Sequence, residues 1–161
     1  MLTIERETIP SMIKRFVAHP DIYPFVVDDF SPSAEDYQPP TGKDVYWLFA
    51  YRGAVPVGLF LLFPLNAINF DIHAAVFPWA RGTKWSRLAG EAALDWIWKN
   101  TRCRRVTAGC PAFNARALGW VKAIGFREFG VNHASFQKSG TLHDLIMLGI
   151  SKPPEQSNKE K

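Results

Sequence analysis

Asn114-Ala115-Arg116-Ala117, followed by a run that stops at Gly125-Phe126-Arg127-Glu128-Phe129-Gly130, decides how this chain folds. An Asn side chain accepts a backbone N–H at a helix start, and Ala117, Leu118, Val121 and Ile124 recur at helical spacing. A short helix is therefore predicted from Asn114 to Ile124. Upstream, Ile68 to Phe77 alternates, with Ile68, Phe70, Ile72, Ala74 and Val76 on one face and Asn69, Asp71, His73 and Ala75 on the other. This strand leads through a basic turn, Arg81-Gly82-Thr83-Lys84-Trp85-Ser86-Arg87, into a longer helix. There Trp85, Leu88, Ala89, Ala92 and Trp96 form the stripe expected to face a sheet. Arg87, Glu91, Asp95 and Lys99 form the opposite side, with opposite charges at i,i+4.

Further β-rich runs, Val45 to Tyr51 and Val55 to Phe63, flank Arg52-Gly53-Ala54 and predict a hairpin. Arg105 to Cys110, Arg127 to Gln137 and His143 to Ser151 complete the strands. The first forty residues are the least regular. Thr8 is the expected cap of a helix with Pro10 in its first turn and Met12, Ile13, Phe16 and Val17 as its apolar stripe. A second short helix is expected within Ile22 to Asp29, then a loop from Ser31 to Gly42. The pattern is α/β (α+β), a mixed sheet with helices, in a single domain over residues 1–152 followed by a flexible tail over 153–161.

A length of 161 residues fits one domain with a real core, and 47% hydrophobic with 14% aromatic residues excludes a disordered or fibrous chain. Met1 to Glu7 alternates charged and apolar residues and does not resemble a signal peptide. The longest apolar run, Val55 to Leu65, is interrupted by Pro56, Gly58 and Pro64 and is far shorter than the roughly 20 residues of a membrane span. A soluble, cytoplasmic protein without a membrane partner is expected. Cys103 and Cys110 flank one strand in a geometry awkward for a disulfide, so free thiols are expected. His19, His73, His133 and His143 show no metal-ligand spacing, and no metal site is expected. The net charge of +4 sits partly in two clusters, Arg81/Lys84/Arg87 and Arg102/Arg104/Arg105, which suit either a phosphorylated nucleotide cofactor or nucleic acid.

Strand, basic turn, helix, strand and Asn-opened helix in this order resemble the cofactor-binding half of the GNAT (GCN5-related N-acetyltransferase) superfamily, over residues 45 to 150. The resemblance is to a divergent member, of a kind found in phage or other mobile elements. It implies a mostly antiparallel central sheet flanked by helices, in which the strands at Ile68 to Phe77 and Arg105 to Cys110 splay apart. The pantetheine arm of acetyl-CoA, the implied cosubstrate, would add there like a short strand. Residues Arg81 to Ser86 align with the family's Gln/Arg-x-x-Gly-x-Gly/Ala turn, with Arg81, Gly82 and Ser86 compatible and Lys84 replacing the central glycine. The implied cofactor-binding set is Val76, Arg81, Gly82, Thr83, Lys84, Trp85, Ser86, Arg87 and Asn114. For each, a plain alternative stands beside it: a capped helix with a solvated basic face, and Asn114 as a simple N-cap.

Acetyl transfer to an amine needs a proton acceptor, an N–H donor for the developing oxyanion and an acid for the leaving thiolate. Asp71 and His73 share the strand face from which GNAT enzymes commonly present their base and are the implied catalytic residues; the alternative is a structural pair. The oxyanion donor is a backbone N–H near Val76. The family's Asn-x-x-Ala-x-x-Leu-Tyr-x-x-x-Gly-Phe pattern is matched at Asn114, Ala117, Gly125 and Phe126, but Val121 stands where the acidic Tyr is found. Cys110 has no base near it in sequence and is expected to be a small apolar filler.

Two function classes follow. One is an acyltransferase moving acetyl from acetyl-CoA to a primary amine by direct attack in a ternary complex, its acceptor a small molecule or peptide recognised by the first forty residues. The other is a catalytically inactive GNAT-like binding or assembly protein, supported by Lys84 and Val121. Nucleic-acid binding through Arg102, Arg104 and Arg105 ranks below both. An exposed late strand offers a homodimer contact.

Overall fold

In the computed structural model, residues 1–155 are described. The chain runs β1 (Leu2–Glu7), α1 (Pro10–Val17), α2 (Tyr23–Val26), β2 (Tyr46–Arg52), β3 (Val55–Pro64) and β4 (Asn69–Val76). A 3-10 turn (Pro78–Ala80), α3 (Lys84–Asn100), β5 (Arg105–Pro111), α4 (Ala115–Ala123), β6 (Arg127–Lys138) and β7 (Thr141–Ser151) follow. The described residues form one seven-stranded sheet in the order β1-β2-β3-β4-β5-β7-β6. Every neighbouring pair is antiparallel except β4–β5. This is the mixed, mostly antiparallel sheet expected. The tail expected over 153–161 lies outside the described residues from 156 onward.

The hairpin at Arg52-Gly53-Ala54 forms as predicted, with Gly53 at φ +59°, where a side chain would be strained. Residues 2–7, expected to be irregular, instead make an edge strand against β2, from Leu2 opposite Arg52 to Glu7 opposite Trp47. Their apolar-polar alternation is a strand signal at period two. Leu2 and Ile4 pack on the core while the intervening polar residues meet water. The cap of α1 also differs from expectation. Ile9 is the N-cap residue, and the Glu7 carboxylate accepts the N–H groups of Thr8 and Ile9 at 2.9 and 2.8 Å, so Thr8 donates where it was expected to accept.

Two apolar layers cover the sheet. Leu48, Phe60, Leu62, Phe70, Ala93 and Ile97 belong to the layer under α3 and α4. On the other face, Ile13 and Val17 of α1 and Tyr23 of α2 meet Trp47, Phe49, Leu59 and Ala75. Phe16 joins this second layer at 5.1 Å from Phe49 and 6.0 Å from Phe77, between ring centres.

The buried stripe of α3 is Ser86, Ala89, Gly90, Ala93, Leu94 and Ile97. The expected stripe of Trp85, Leu88, Ala89, Ala92 and Trp96 is therefore rotated by about one position, with only Ala89 fully buried. The reason is distance. Small residues let α3 approach its neighbours, while Trp85, Leu88 and Ala92 border a surface groove beside Met1 and Leu2. At Gly90 an added Cβ would stand 2.9 Å from Ile124 Cδ1 and 3.0 Å from Trp120 Cζ2.

Two opposing effects meet at Gly90. A side chain there gains about 1 kcal/mol of helix propensity but overpacks the contact between α3 and α4, at a cost of about 1–3 kcal/mol that rises with size. Gly90→Val adds a branched group with low helix propensity, so overpacking wins. Thermal unfolding should show a midpoint roughly 4–10 °C lower.

Candidate functional site

The parallel β4–β5 ladder has only three residue pairs: Asn69 with Arg105, Phe70 with Val106 and Asp71 with Thr107. Beyond them the strands diverge, β4 continuing to Val76 and β5 to Pro111. Ile68 C=O accepts from Arg104 and Arg105 at 2.8 and 3.1 Å, while Phe77 N–H turns the other way, to Val57 C=O at 2.9 Å. Backbone groups alternate sides along a strand, so those of Ile72, Ala74 and Val76 point into the opening. By the same rule Gly109 faces it from β5, since Arg105 N–H bonds to the β4 side. The result is a V-shaped gap with unpaired strand edges.

The carboxyl ends of both parallel strands flank the mouth of this gap, and each leads into a helix. The N-termini of α3 and α4 thus stand at the site where open α/β sheets bind ligands. Arg81 ties the first turn in place. Its Nε donates to Val76 C=O at 2.9 Å, its Nη2 to Asp21 C=O at 3.0 Å, and its guanidinium lies 4.4 Å from the Phe25 ring centre. Gly82 takes φ +71° with open space around it, so backbone conformation alone calls for glycine.

Thr83 caps α3. Its Oγ1 accepts Trp85 N–H at 3.2 Å and donates to Ala80 C=O at 2.8 Å, and Ser86 Oγ donates to Thr83 C=O at 2.8 Å. Lys84 and Arg87 are exposed. The Lys84 ammonium sits 5.1 Å from the Trp85 ring centre, and Arg87 approaches Glu91 at 3.7 Å. Trp85 also carries the Arg52 guanidinium at 4.3 Å. Across the mouth, Asn114 caps α4 by accepting Ala117 N–H at 3.1 Å, as its sequence position predicts. Val121, at the position of the missing Tyr, is buried in the core.

Asp71 closes the inner end of the gap, in the last pair of the ladder. Its Oδ1 accepts Thr107 Oγ1–H at 3.3 Å, and its Oδ2 lies 3.2 Å from His73 Nε2. Asp71 is sheltered, with its side chain 18% exposed, and His73 is open at 64%. The Phe63 ring stacks on the imidazole at 5.6 Å. The two expected residues are therefore brought together as an exposed imidazole backed by a sheltered carboxylate. Thr107 was not singled out in sequence, because its partner is set by strand register.

His73 also borders a half-enclosed cleft of about 150 Å³ between the sheet and the α2 region. Tyr23, Tyr37, Trp47, Leu59 and Leu61 line it. Burial, and secondarily Tyr23, pushes the Tyr37 phenol up to about 12. Trp47 Nε1 donates to Pro40 C=O at 2.9 Å, and Tyr23 OH donates to Pro32 C=O. The sequence alone did not single out these residues. The signal that identifies them is that Trp47, Leu59 and Leu61 share the sheet face of Asp71 and His73.

The outer wall of the cleft is clamped by the β6–β7 hairpin. The Asp29 carboxylate accepts the Ser139 and Gly140 N–H groups at 2.7 and 2.8 Å, and the Lys138 ammonium donates to Pro24 C=O and Val27 C=O. The Gly140 hydrogen bond leads the effects that hold the Asp29 carboxyl below its ordinary 3.8. Because the folded value is the lower one, the stabilisation is complete above 3.8 and is lost as pH falls through the folded value. Wild type and Asp29→Asn should differ in urea midpoint at about pH 6 and converge toward about pH 3.

Two members of the second basic cluster, Arg102 and Arg105, are tied into the fold. Arg102 forms two hydrogen bonds with Asp44 at 2.9 and 3.3 Å, and Arg105 bonds to Ser151 at 3.0 Å. Both cysteines are free and buried. Burial raises the Cys103 thiol and pushes Cys110 to about 11. Under native conditions near neutral pH neither thiol should react with a disulfide reagent, and both should titrate after denaturation. Among the described residues, no cluster of metal-ligating side chains occurs and no helix is long and apolar enough to cross a membrane.

No protein-family model and no curated protein matches the chain in sequence. Solved structures do match in shape. A spermidine N-acetyltransferase from Vibrio cholerae, in complex with CoA and spermine, is 15% identical with a TM-score of 0.75, over 93% of this chain and 95% of that one. An acetyltransferase of the GNAT family from Streptococcus pneumoniae is 15% identical with a TM-score of 0.71, over 94% and 100%. RimJ of Mycobacterium smegmatis, in complex with CoA-disulfide, is 18% identical with a TM-score of 0.60, over 67% of this chain and 53% of that one. At these identities the likeness establishes the fold, which is that of the GNAT acetyltransferases.

Proposed function

We propose that this GNAT-fold protein is an acyltransferase that moves the acetyl group of acetyl-CoA to a primary amine by direct attack in a ternary complex. The observation that carries the reading is the short β4–β5 ladder, which opens a gap between two helix N-termini with the Asp71–His73 pair at its inner end. Free strand-edge groups at Ile72 and Ala74, together with the Val76 N–H, suit an amide-bearing arm laid between the strands, while Arg81 occupies the Val76 carbonyl. The N-terminus of α3, with Lys84 and Arg87 beside it, suits the pyrophosphate, while Arg81 and Thr83 hold the turn rigid. Gly82, Trp85 and Ser86 shape the same turn, and Asn114 holds the opposite rim as a cap.

Bound acetyl-CoA supplies an activated acyl group, a thioester carbonyl open to nucleophilic attack. His73, exposed toward the acceptor cleft and backed by Asp71, takes the proton from the incoming ammonium so that the nitrogen lone pair is free. The N–C bond forms as the C–S bond breaks, and the electron pair leaves on sulfur. Of the two protons the nitrogen loses, one ends on the thiol and one reaches solvent. The Val76 N–H is the donor for charge developing on the carbonyl oxygen. Helix α4 contributes no side-chain acid at the position of Val121, because that residue belongs to the core.

Calorimetric titration with acetyl-CoA should show saturable binding that desulfo-CoA reproduces and ATP does not. Lys84→Glu should weaken it roughly 10- to 100-fold by replacing a phosphate partner with a like charge. Asp71→Asn and His73→Ala should each lower kcat by roughly 10²- to 10⁴-fold, as expected on loss of a general base, with little change in unfolding temperature. Wild-type turnover by both variants would remove the pair from the mechanism. Failure of acetyl-CoA to bind at millimolar concentration would favour a non-catalytic role.

A further inference from the structure

We infer that the amine acceptor carries a single cationic nitrogen on a compact apolar body about the size of one aromatic ring. The inference deepens the acyltransferase reading and rests on it.

The first argument is the chemistry of the cleft wall. Tyr23, Tyr37, Trp47, Leu59, Leu61 and Ala75 contribute rings and aliphatic groups, and no residue lining the cleft carries a carboxylate. The polar ends of Tyr23 and Trp47 are occupied by the carbonyls of Pro32 and Pro40, which leaves their carbon surfaces to a ligand. The carboxylates of Asp28 and Asp36 in the adjoining loop lie outside the cleft lining and are held by local hydrogen bonds. Asp28 accepts from Phe30 N–H and Ser31 Oγ–H at 2.9 Å each, and Asp36 accepts from Ser33 Oγ–H at 2.8 Å.

The second argument is charge. The Lys138 ammonium, which donates to the carbonyls of Pro24 and Val27 behind the wall, stands beside the Asp29 carboxylate of the same clamp, so neither charge is left for a ligand. A polyamine would bring a second and third ammonium against a lining that holds no carboxylate to pair with them. Burying an unpaired charge is far more costly than burying a ring. One nitrogen, by contrast, meets His73 at the sheet end of the cleft, with the Asp71 carboxylate backing the imidazole. Apolar surroundings disfavour the ammonium form, which assists its deprotonation before attack.

The third argument is size. The cleft volume of about 150 Å³ is comparable to apolar cavities that accommodate a benzene molecule. An amine on a short linker to one ring fills it with the nitrogen at His73.

The test compares kcat/KM for 2-phenylethylamine and spermidine at saturating acetyl-CoA, in wild type and in Val26→Glu, with acetyl-CoA binding measured separately by calorimetry. Val26 lines the cleft and is 41% exposed, so the substitution places a carboxylate at the rim. Wild type should prefer 2-phenylethylamine at least about tenfold, corresponding to about 1.4 kcal/mol. Val26→Glu should shift the ratio toward spermidine. Equal or better use of spermidine by wild type would overturn the inference. So would acetylation of neither amine by protein that binds acetyl-CoA, and that outcome leaves the cofactor site intact. Absence of acetyl-CoA binding would instead sink the acyltransferase reading, and the acceptor class with it.

Discussion

The structure depends on how early one ladder of hydrogen bonds ends. β4 and β5 pair over three residues and then part, in a sheet whose other neighbours pair over longer stretches. A strand edge left unpaired is normally a liability, since its N–H and C=O groups seek partners elsewhere. Here the open edges lie within the sheet, face each other and are flanked by helix N-termini. The same groups that would be a defect at the rim of the sheet line a gap in its middle. The two apolar layers under and over the sheet hold the diverging strands in place.

This arrangement separates two kinds of recognition. On the α3 side the chain presents backbone N–H groups and exposed cations, chemistry suited to phosphate. The α1–α2 side presents rings and aliphatic surface. Asp71 and His73 stand between them, one sheltered by Thr107 and the other exposed to the cleft.

Much of this was legible in the sequence because it is written in local periodicity. Asn114 announced its own helix, and the alternation of Ile68 to Phe77 placed Asp71 and His73 on one face. The misses have specific physical causes. Residues 2–7 are a polar-faced edge strand, which exposes half its side chains to water and so lacks a hydrophobic run. The stripe of α3 was displaced because large side chains suggested burial, whereas close helix approach selects Ser86, Ala89, Gly90 and Ala93. Arg81 and Arg102 appeared as free cations, but their partners lie 60 and 58 residues away, beyond the reach of any local pattern. The aromatic cleft was hidden for the same reason, since Tyr37 and Trp47 meet His73 only through the tertiary fold.

The clamp between Asp29 and the hairpin turn at Ser139-Gly140 joins positions 110 and 111 residues apart. During synthesis the segment that carries Asp29 is therefore translated early and anchored late. Strand β5, one wall of the gap, likewise takes its longer pairing from β7 and so waits for the final hairpin. Both the Asp29 clamp and the longer pairing of β5 therefore come from the last hairpin to be made.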